Sequence, residues 1–472
     1  MGKLKGVRAG MVVVVAALTV IGGSVRVAAG SACLPADEIA PCTCKEKSRG
    51  PSLVCENVDE KAIQKSLSVL KKGSSAIYRL MFRNSDFPRI QDYFFLGLNV
   101  QHLTMSRSNI SVVEESSLRT LAGTLETLDL SYNNLHTVPT AALEHLQSLS
   151  FLNLNYNMIK ILGQAAFSGL RKSAYQEKSF AGTGDKLFRL NLGKNHLVGI
   201  PNLQALTKLQ VLTLSENQIS EIIVGDFKGL EKLDILMVEN NHIRELGANV
   251  FIELPSLNSL NIKHNDISNI SEHAFAGLED NLEWLELGHN RLDHVPSHAL
   301  KSLHNLRQLD LDSNKIVTIP EDAFEGYGDS IKFLMLSRNN IKSIAPMTFY
   351  NLHSLEWLKL SHNELTSLTE ETVQSILDTV TMIDVSNNQL ECSCDLMWLR
   401  SWLRDFAKRE TYKSFAKHNC IAASMRTVDI TNLKIEELGC PEYIAKTVNS
   451  VKKTAVVPVL ATLPALFLSL IL

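Results

Sequence analysis

No cysteine falls between Cys55 and Cys392. All eight lie in two groups of four, one near each end. An even count confined to clusters implies disulfides and an oxidising compartment. Zinc is the alternative for four-cysteine groups. Cys42-x-Cys44 and Cys392-x-Cys394 lack the two-to-four-residue spacing of zinc pairs. The chain also lacks His-Glu-x-x-His, the Gly-x-Ser-x-Gly elbow and a dinucleotide fingerprint. Gly182-Thr-Gly-Asp-Lys186 lacks the spacing and the Ser/Thr of a phosphate loop. These absences leave no catalytic constellation and no cofactor, so the chain reads as non-enzymatic.

The ends are short of acid. Residues 1–30 carry Lys3, Lys5, Arg8 and Arg26, then an apolar run from Met11 to Ile21, then Ala28, Ala29 and Gly30. The run is too short to span a bilayer and fits a signal peptide. At the other end, a polar spacer (442–454) precedes an apolar tail (455–472), the layout of a lipid-anchor signal with attachment at Asn449 or Ser450. Ala445 is the alternative attachment point, and a single tail-end helix the alternative reading. Without the four cations of the leader and Lys452 and Lys453 of the tail, 41 basic residues face 50 acidic ones, a net of −9. Such a surface disfavours nucleic acid and other polyanions.

What is present is a phrase, Leu-x-x-Leu-x-Leu-x-x-Asn-x-Leu, returning thirteen times. Leu125–Leu135, Leu306–Ile316 and Leu355–Leu365 are clear copies. Its ninth position falls at Ser85, Ser108, Asn133, Asn157, Asn195, Asn217, Asn241, Asn265, Asn290, Asn314, Asn339, Asn363 and Asn388. The steps are 22 to 25 residues, with one of 38. Positions four and six share one face of a short strand. One coil cannot bury its own leucines, so neighbours must stack. The ninth-position amide can satisfy buried backbone groups in its own coil and the next. A later Phe-x-x-Leu, at Phe95, Phe167, Phe227, Phe251, Phe275 and Phe349, predicts an aromatic spine behind the strands. The expected fold is an α/β repeat solenoid: a horseshoe with a parallel concave sheet.

A period near 24 residues, with Cys33-x8-Cys42-x-Cys44-x10-Cys55 before it and Cys392-x-Cys394-x25-Cys420-x19-Cys440 after it, resembles extracellular leucine-rich-repeat proteins with cysteine caps. The run Cys394-Asp-Leu-x-Trp-Leu is part of that resemblance. It implies the pairs Cys33–Cys44, Cys42–Cys55, Cys392–Cys420 and Cys394–Cys440; spacing alone allows others. The division that follows is signal 1–30, N-terminal cap 31–76, repeats 77–391, C-terminal cap 392–441, spacer and tail. Coils with an extra residue before the strand, such as Leu278-Glu-Asp-Asn-Leu282, look like the arthropod lipid-anchored adhesion proteins of the chaoptin and connectin kind. The stretch Cys33-Leu-Pro…Cys42-Thr-Cys44 looks like secreted proteins named after a luciferase's non-catalytic subunit. The first resemblance implies a cell-surface protein as partner, a second copy of the chain included, at the outer face of the plasma membrane. The second implies secretion, as a subunit of an enzyme complex or in innate recognition.

Outward strand positions are where a partner would bind. Position three carries Phe151, Trp284, Phe333 and Trp357, and alternation points them away from the core. The last three fall in coils 9, 11 and 12 and predict an interface cluster. Position five carries Glu286 and Asp310 in adjacent coils, then Lys359. Like charges this close want a partner's cation, or calcium, unless they form a solvated acidic face. His264 and His289, at position eight of adjacent coils, could pair on zinc, but no third ligand is evident. Asn109-Ile-Ser111 and Asn269-Ile-Ser271 are glycosylation sequons, and the polar insertion 171–186 predicts a loop.

Overall fold

The computed structural model describes residues 33–72, 76–160, 186–406, 417–434 and 440. The leader, Phe167–Leu170, nearly all of the insertion and the spacer and tail lie outside them. Among the described residues no helix is long and apolar enough to cross a membrane.

Thirteen short strands, one per coil, form a single parallel sheet, extended at its N-terminal edge by two cap strands to fifteen. From coil 3 onward each strand is positions three to five of the phrase: Thr127–Asp129, Phe151–Asn153, Arg189–Asn191 and so on to Met382–Asp384. Register holds without slip, Trp284 opposite Gln308, Gln308 opposite Phe333, Phe333 opposite Trp357. A one-residue slip would turn every leucine outward, so the core itself fixes the register.

The inward leucines are buried without exception; Leu125, Leu128, Leu130 and Leu135 are typical. Each contributes roughly 1.5–3 kcal/mol by leaving water. Behind the strands, Phe227, Phe251 and Phe275 stack at 5.9 and 6.1 Å, and Phe324 joins Phe349 at 5.9 Å. Among the described residues the backs of the coils are mostly turns. They hold a few four-residue helices, such as Ser297–Leu300, and paired two-residue strands, such as Glu245–Leu246 with Asn269–Ile270.

The ladder asparagine runs one way. Asn157 donates Nδ2 to Leu154 O in its own coil (3.0 Å) and to Leu130 O in the preceding coil (3.0 Å). Its Oδ1 accepts from Leu135 N, also in the preceding coil (3.0 Å). The expectation was a link to the following coil. The bonds point backwards because position nine lies beyond the strand, over a carbonyl of the coil before: Leu130 O accepts from both Asn157 and its own coil's Asn133 Nδ2 (2.9 Å).

Both caps close with the pairing the resemblance implied: Cys33–Cys44, Cys42–Cys55, Cys392–Cys420 and Cys394–Cys440. At the N-terminal end, Thr43–Lys47 pairs antiparallel with Gly50–Glu56, which then pairs parallel with the first coil strand, Ala76–Arg83. At the C-terminal end, the helix Met397–Phe406 seats Trp398 on the last coils, with Nε1 donating to Leu368 O (2.8 Å).

Candidate concave binding face

Every coil leaves its strand through a left-handed residue at position eight. From Asn84 and Arg107 to His362 and Asn387, thirteen non-glycine residues hold φ between 49° and 57°. This conformation costs about 1–2 kcal/mol per residue. The ladder bonds on either side hold it in place. The turn lifts the position-eight side chains along one rim of the sheet. There Arg107 lies over Tyr132 (4.3 Å), Tyr132 stacks on Tyr156 (3.9 Å), and Lys194 lies over Tyr156 (4.4 Å) while pairing with Glu216 (2.9 Å). His264 and His289 stack in the same column at 3.9 Å. No group of three or more His, Cys, Asp or Glu is placed to hold a metal among the described residues. Only the His264–His289 pair of this rim is legible in the sequence, because any residue type occupies position eight.

The C-terminal half of the concave face carries the aromatic cluster. Trp284 and Phe333 stack at 6.3 Å, and Phe333 meets Trp357 edge-on at 5.0 Å. Coil 10 lies between the first two, with Gln308 between them in the sheet. Its amide donates to Glu286 Oε1 (3.3 Å). Trp357 is 38% exposed and Lys359 Nζ sits 5.8 Å from its ring. Phe151 is half-buried in coil 4 and joins none of them. It lines a separate depression.

Asp310 departs from its expected role. Its side chain is buried and both oxygens are engaged: Oδ2 with Lys263 Nζ (2.6 Å), Oδ1 with Asp312 N (2.9 Å). The same Lys263 reaches Glu286 Oε2 at 3.4 Å. The cation those two carboxylates demanded is therefore internal. It comes from position seven of coil 8 and crosses coil 9 at Gly288, where a Cβ would stand 3.3 Å from Lys263 Cε and 3.0 Å from Asp310 Oδ1. Burial pulls the Lys263 ammonium down, and its bonds to Asp310 and Glu286 more than offset that, leaving it above the ordinary lysine value. Glu286 remains partly open to a partner; Asp310 does not.

Asp312 carries the cost of this network. Burial, with Asp310 beside it, pushes its carboxyl up to about 6, although Oδ1 accepts from Ser337 N (2.6 Å). A raised carboxyl favours the folded state only when protonated. The ionised group therefore destabilises the fold at pH 7, and the penalty is relieved as pH falls through about 6. Asp312→Asn keeps the acceptor and removes the charge. It is expected to raise stability on the order of 1–2 kcal/mol at pH 7.5. The gain should shrink through pH 6 and vanish near pH 4, read as the difference in Tm between variant and parent. A gain that stays constant across that range would show that charge is not its origin.

The N-terminal half is different in character. Arg79, Arg83, His102, Arg107, Asp129 and Phe151 are among the residues lining an open depression of about 630 Å3 over coils 1–4. His102 Nδ1 lies 2.9 Å from Thr127 Oγ1 and its ring meets Tyr78 edge-on at 4.7 Å. Burial, then the nearby arginines, holds that imidazole below its ordinary value against the opposing pull of Glu126. Of the two sequons, Asn109 already donates Nδ2 to Asp86 Oδ1 (3.1 Å) and accepts from Asn134, whereas Asn269 is exposed on the small sheet away from the concave face.

A family model described as Leucine rich repeat matches residues 123–175, 185–243, 231–280, 280–328 and 329–390. Tsukushi of Gallus gallus is 28% identical over 228 residues, 40% of this chain and 58% of that protein. Chaoptin of Drosophila melanogaster is 28% identical over 116 residues, 24% of this chain and 8% of that protein. The chain thus spans less than two thirds of the length of these curated relatives. Among solved structures, the one titled "Crystal structure of TLR13-ssRNA13 complex" aligns with a TM-score of 0.57 at 24% identity, over 81% of this chain and 60% of that one, a likeness of fold alone. Four disulfides belong to an oxidising, extracellular setting. With thirteen stacked coils, an asparagine ladder and a cysteine cap at each end, the chain belongs to the leucine-rich-repeat family.

Proposed function

We propose that this is an extracellular recognition protein that binds another protein on the C-terminal half of its concave face, in cell adhesion or surface recognition. The observation that carries the reading is the Trp284–Phe333–Trp357 cluster, half exposed on a rigid sheet and flanked by Glu286 and Lys359. Aromatic anchors fixed by their neighbours lose little entropy on binding and are the residue types that dominate interface energetics. A signal peptide, a lipid-anchored tail and a glycan on Asn269, away from this face, complete the proposal. They would hold the protein at the outer cell surface with the cluster uncovered.

Trp284→Ala and Trp357→Ala together are expected to lower affinity for a partner identified by cross-linking to the ectodomain at least thirtyfold, about 2 kcal/mol or more. Secretion and Tm should stay near parental values, because both rings lie outside the leucine core. Undiminished binding to that partner would move the site elsewhere on the molecule.

A further inference from the structure

We infer that the depression over coils 1–4 is a second binding site, built for an acidic peptide segment of a protein partner. The argument is independent of the aromatic cluster, which lies five coils or more away. The cations that line the depression are arginines: Arg79 from position three of coil 1, Arg83 from position seven of the same coil, and Arg107 from position eight of coil 2. Planar guanidinium forks match carboxylates in pairs of parallel hydrogen bonds, which a lysine point charge does not. Arg107 is pre-oriented, its Cζ over the Tyr132 ring at 4.3 Å, so less freedom is left to lose on binding.

The local carboxylates do not satisfy these forks. Glu56 approaches Arg83 only to 3.9 Å. Asp129 Oδ1 is occupied by Ser131 N (2.9 Å) and Asn153 Nδ2 (3.1 Å). Among the described residues Arg79 is exposed and makes no ion pair. Arg189, directly opposite Phe151 in the sheet, adds a further exposed cation at the edge of the depression. The floor supplies apolar contact from Met81 and Phe151 between the charges. A volume of about 630 Å3 admits a loop of a few residues.

A protein loop fits better than a long polyanion. The mature chain is net acidic, so an extended sulfated or phosphorylated polymer would be repelled beyond the depression, while a short segment feels only the local field. The two halves of the concave face also differ in sign, arginine at coils 1–4 and Glu239, Glu286 and Asp312 at coils 7–10. A partner lying along the sheet is therefore held in one direction, its acidic end over the first coils.

The test uses the secreted full ectodomain and a fluorescent hexaglutamate peptide, with binding read by anisotropy in 50 mM salt. Arg79→Gln with Arg107→Asn is expected to weaken binding at least tenfold; asparagine suits the left-handed backbone at position 107. Both side chains are exposed, and an unchanged Tm verifies the fold. Removing the same charge at Arg119 and Arg244, exposed and outside the depression, should leave binding unchanged, as should Trp284→Ala. No measurable binding of hexaglutamate, or equal loss in the Arg119/Arg244 variant, would overturn the site. Binding of a heparin octasaccharide but not of hexaglutamate would overturn the class of ligand.

Discussion

Replacing Asn314 with leucine is expected to cost about 1–3 kcal/mol of unfolding free energy, although leucine is similar in size and the site is buried. Asn314 Nδ2 donates to Leu311 O (3.0 Å) and to Leu287 O in the preceding coil (3.1 Å), and Oδ1 accepts from Leu292 N (3.0 Å). Leucine leaves Leu292 N buried and unpaired, at about 1–3 kcal/mol, and takes one of two bonds from each carbonyl, at about 0.5–1.5 kcal/mol each, since Leu311 O also accepts from Asn339 Nδ2 (3.0 Å) and Leu287 O from Asn290 Nδ2 (2.9 Å). The apolar side chain returns roughly 1.5–3 kcal/mol by its own burial, so the polar loss wins. It also frees Ser313, whose φ of 57° is held between ladder bonds, to leave the left-handed region. Serine should do better than leucine at this position. Ser85 and Ser108 show how: each hydroxyl donates within its own coil, Ser85 Oγ to Arg83 O and Ser108 Oγ to Ser106 O, both at 3.0 Å. Urea unfolding of the two variants against the parent measures both differences. A leucine variant at least as stable as the parent, or a serine variant weaker than leucine, would contradict the ladder as described.

The ladder illustrates which parts of the molecule a sequence exposes. Inward leucines, the asparagine column and the caps are legible because stacking demands the same residue type at the same place in every coil. The row Trp284–Phe333–Trp357 is legible for a related reason: strand alternation fixes which side of the sheet position three faces. Lys263 was not legible. It reaches Asp310 by passing over a whole coil, and it can do so only because position seven of that coil is Gly288. No rule about adjacent coils anticipates a contact that skips one. The arginine depression hides likewise, assembled from positions three and seven of coil 1 and position eight of coil 2. The left-handed turn at position eight decides where the last of these points, and it leaves no glycine to mark it. Phe151 had the right alternation but the wrong coil to join the cluster.

A last feature of the repeat was half legible. The motif behind the strands is Phe-x-Gly-Leu in several coils and Phe324-Glu-Gly326-Tyr327 in coil 10, and its glycine is as necessary as its phenylalanine. Gly229, Gly277 and Gly326 hold φ of 83°, 93° and 88°, each pressed against the backbone of the preceding coil. A Cβ on Gly277 would stand 2.9 Å from both Ile252 Cα and Ile252 O. Alanine there meets two penalties. The left-handed backbone costs about 1–2 kcal/mol, and the collision with main chain, which cannot rotate away as a side chain would, adds about 1–3 kcal/mol. Gly277→Ala is therefore expected to destabilise by about 2–4 kcal/mol in urea unfolding. Gly123→Ala is the control: nothing lies within 4 Å of its Cβ and its φ is ordinary. That change should be neutral or stabilise by about 0.5 kcal/mol through the unfolded chain. If the fold relieves Gly277→Ala by spreading coils 7 and 8 at the back, the sheet must flatten just before Trp284. Partner binding would then weaken along with stability, although the substitution touches neither the aromatic cluster nor the arginines. Equal stabilities for the two alanine variants would show that close backbone approach does not set the stacking of these coils.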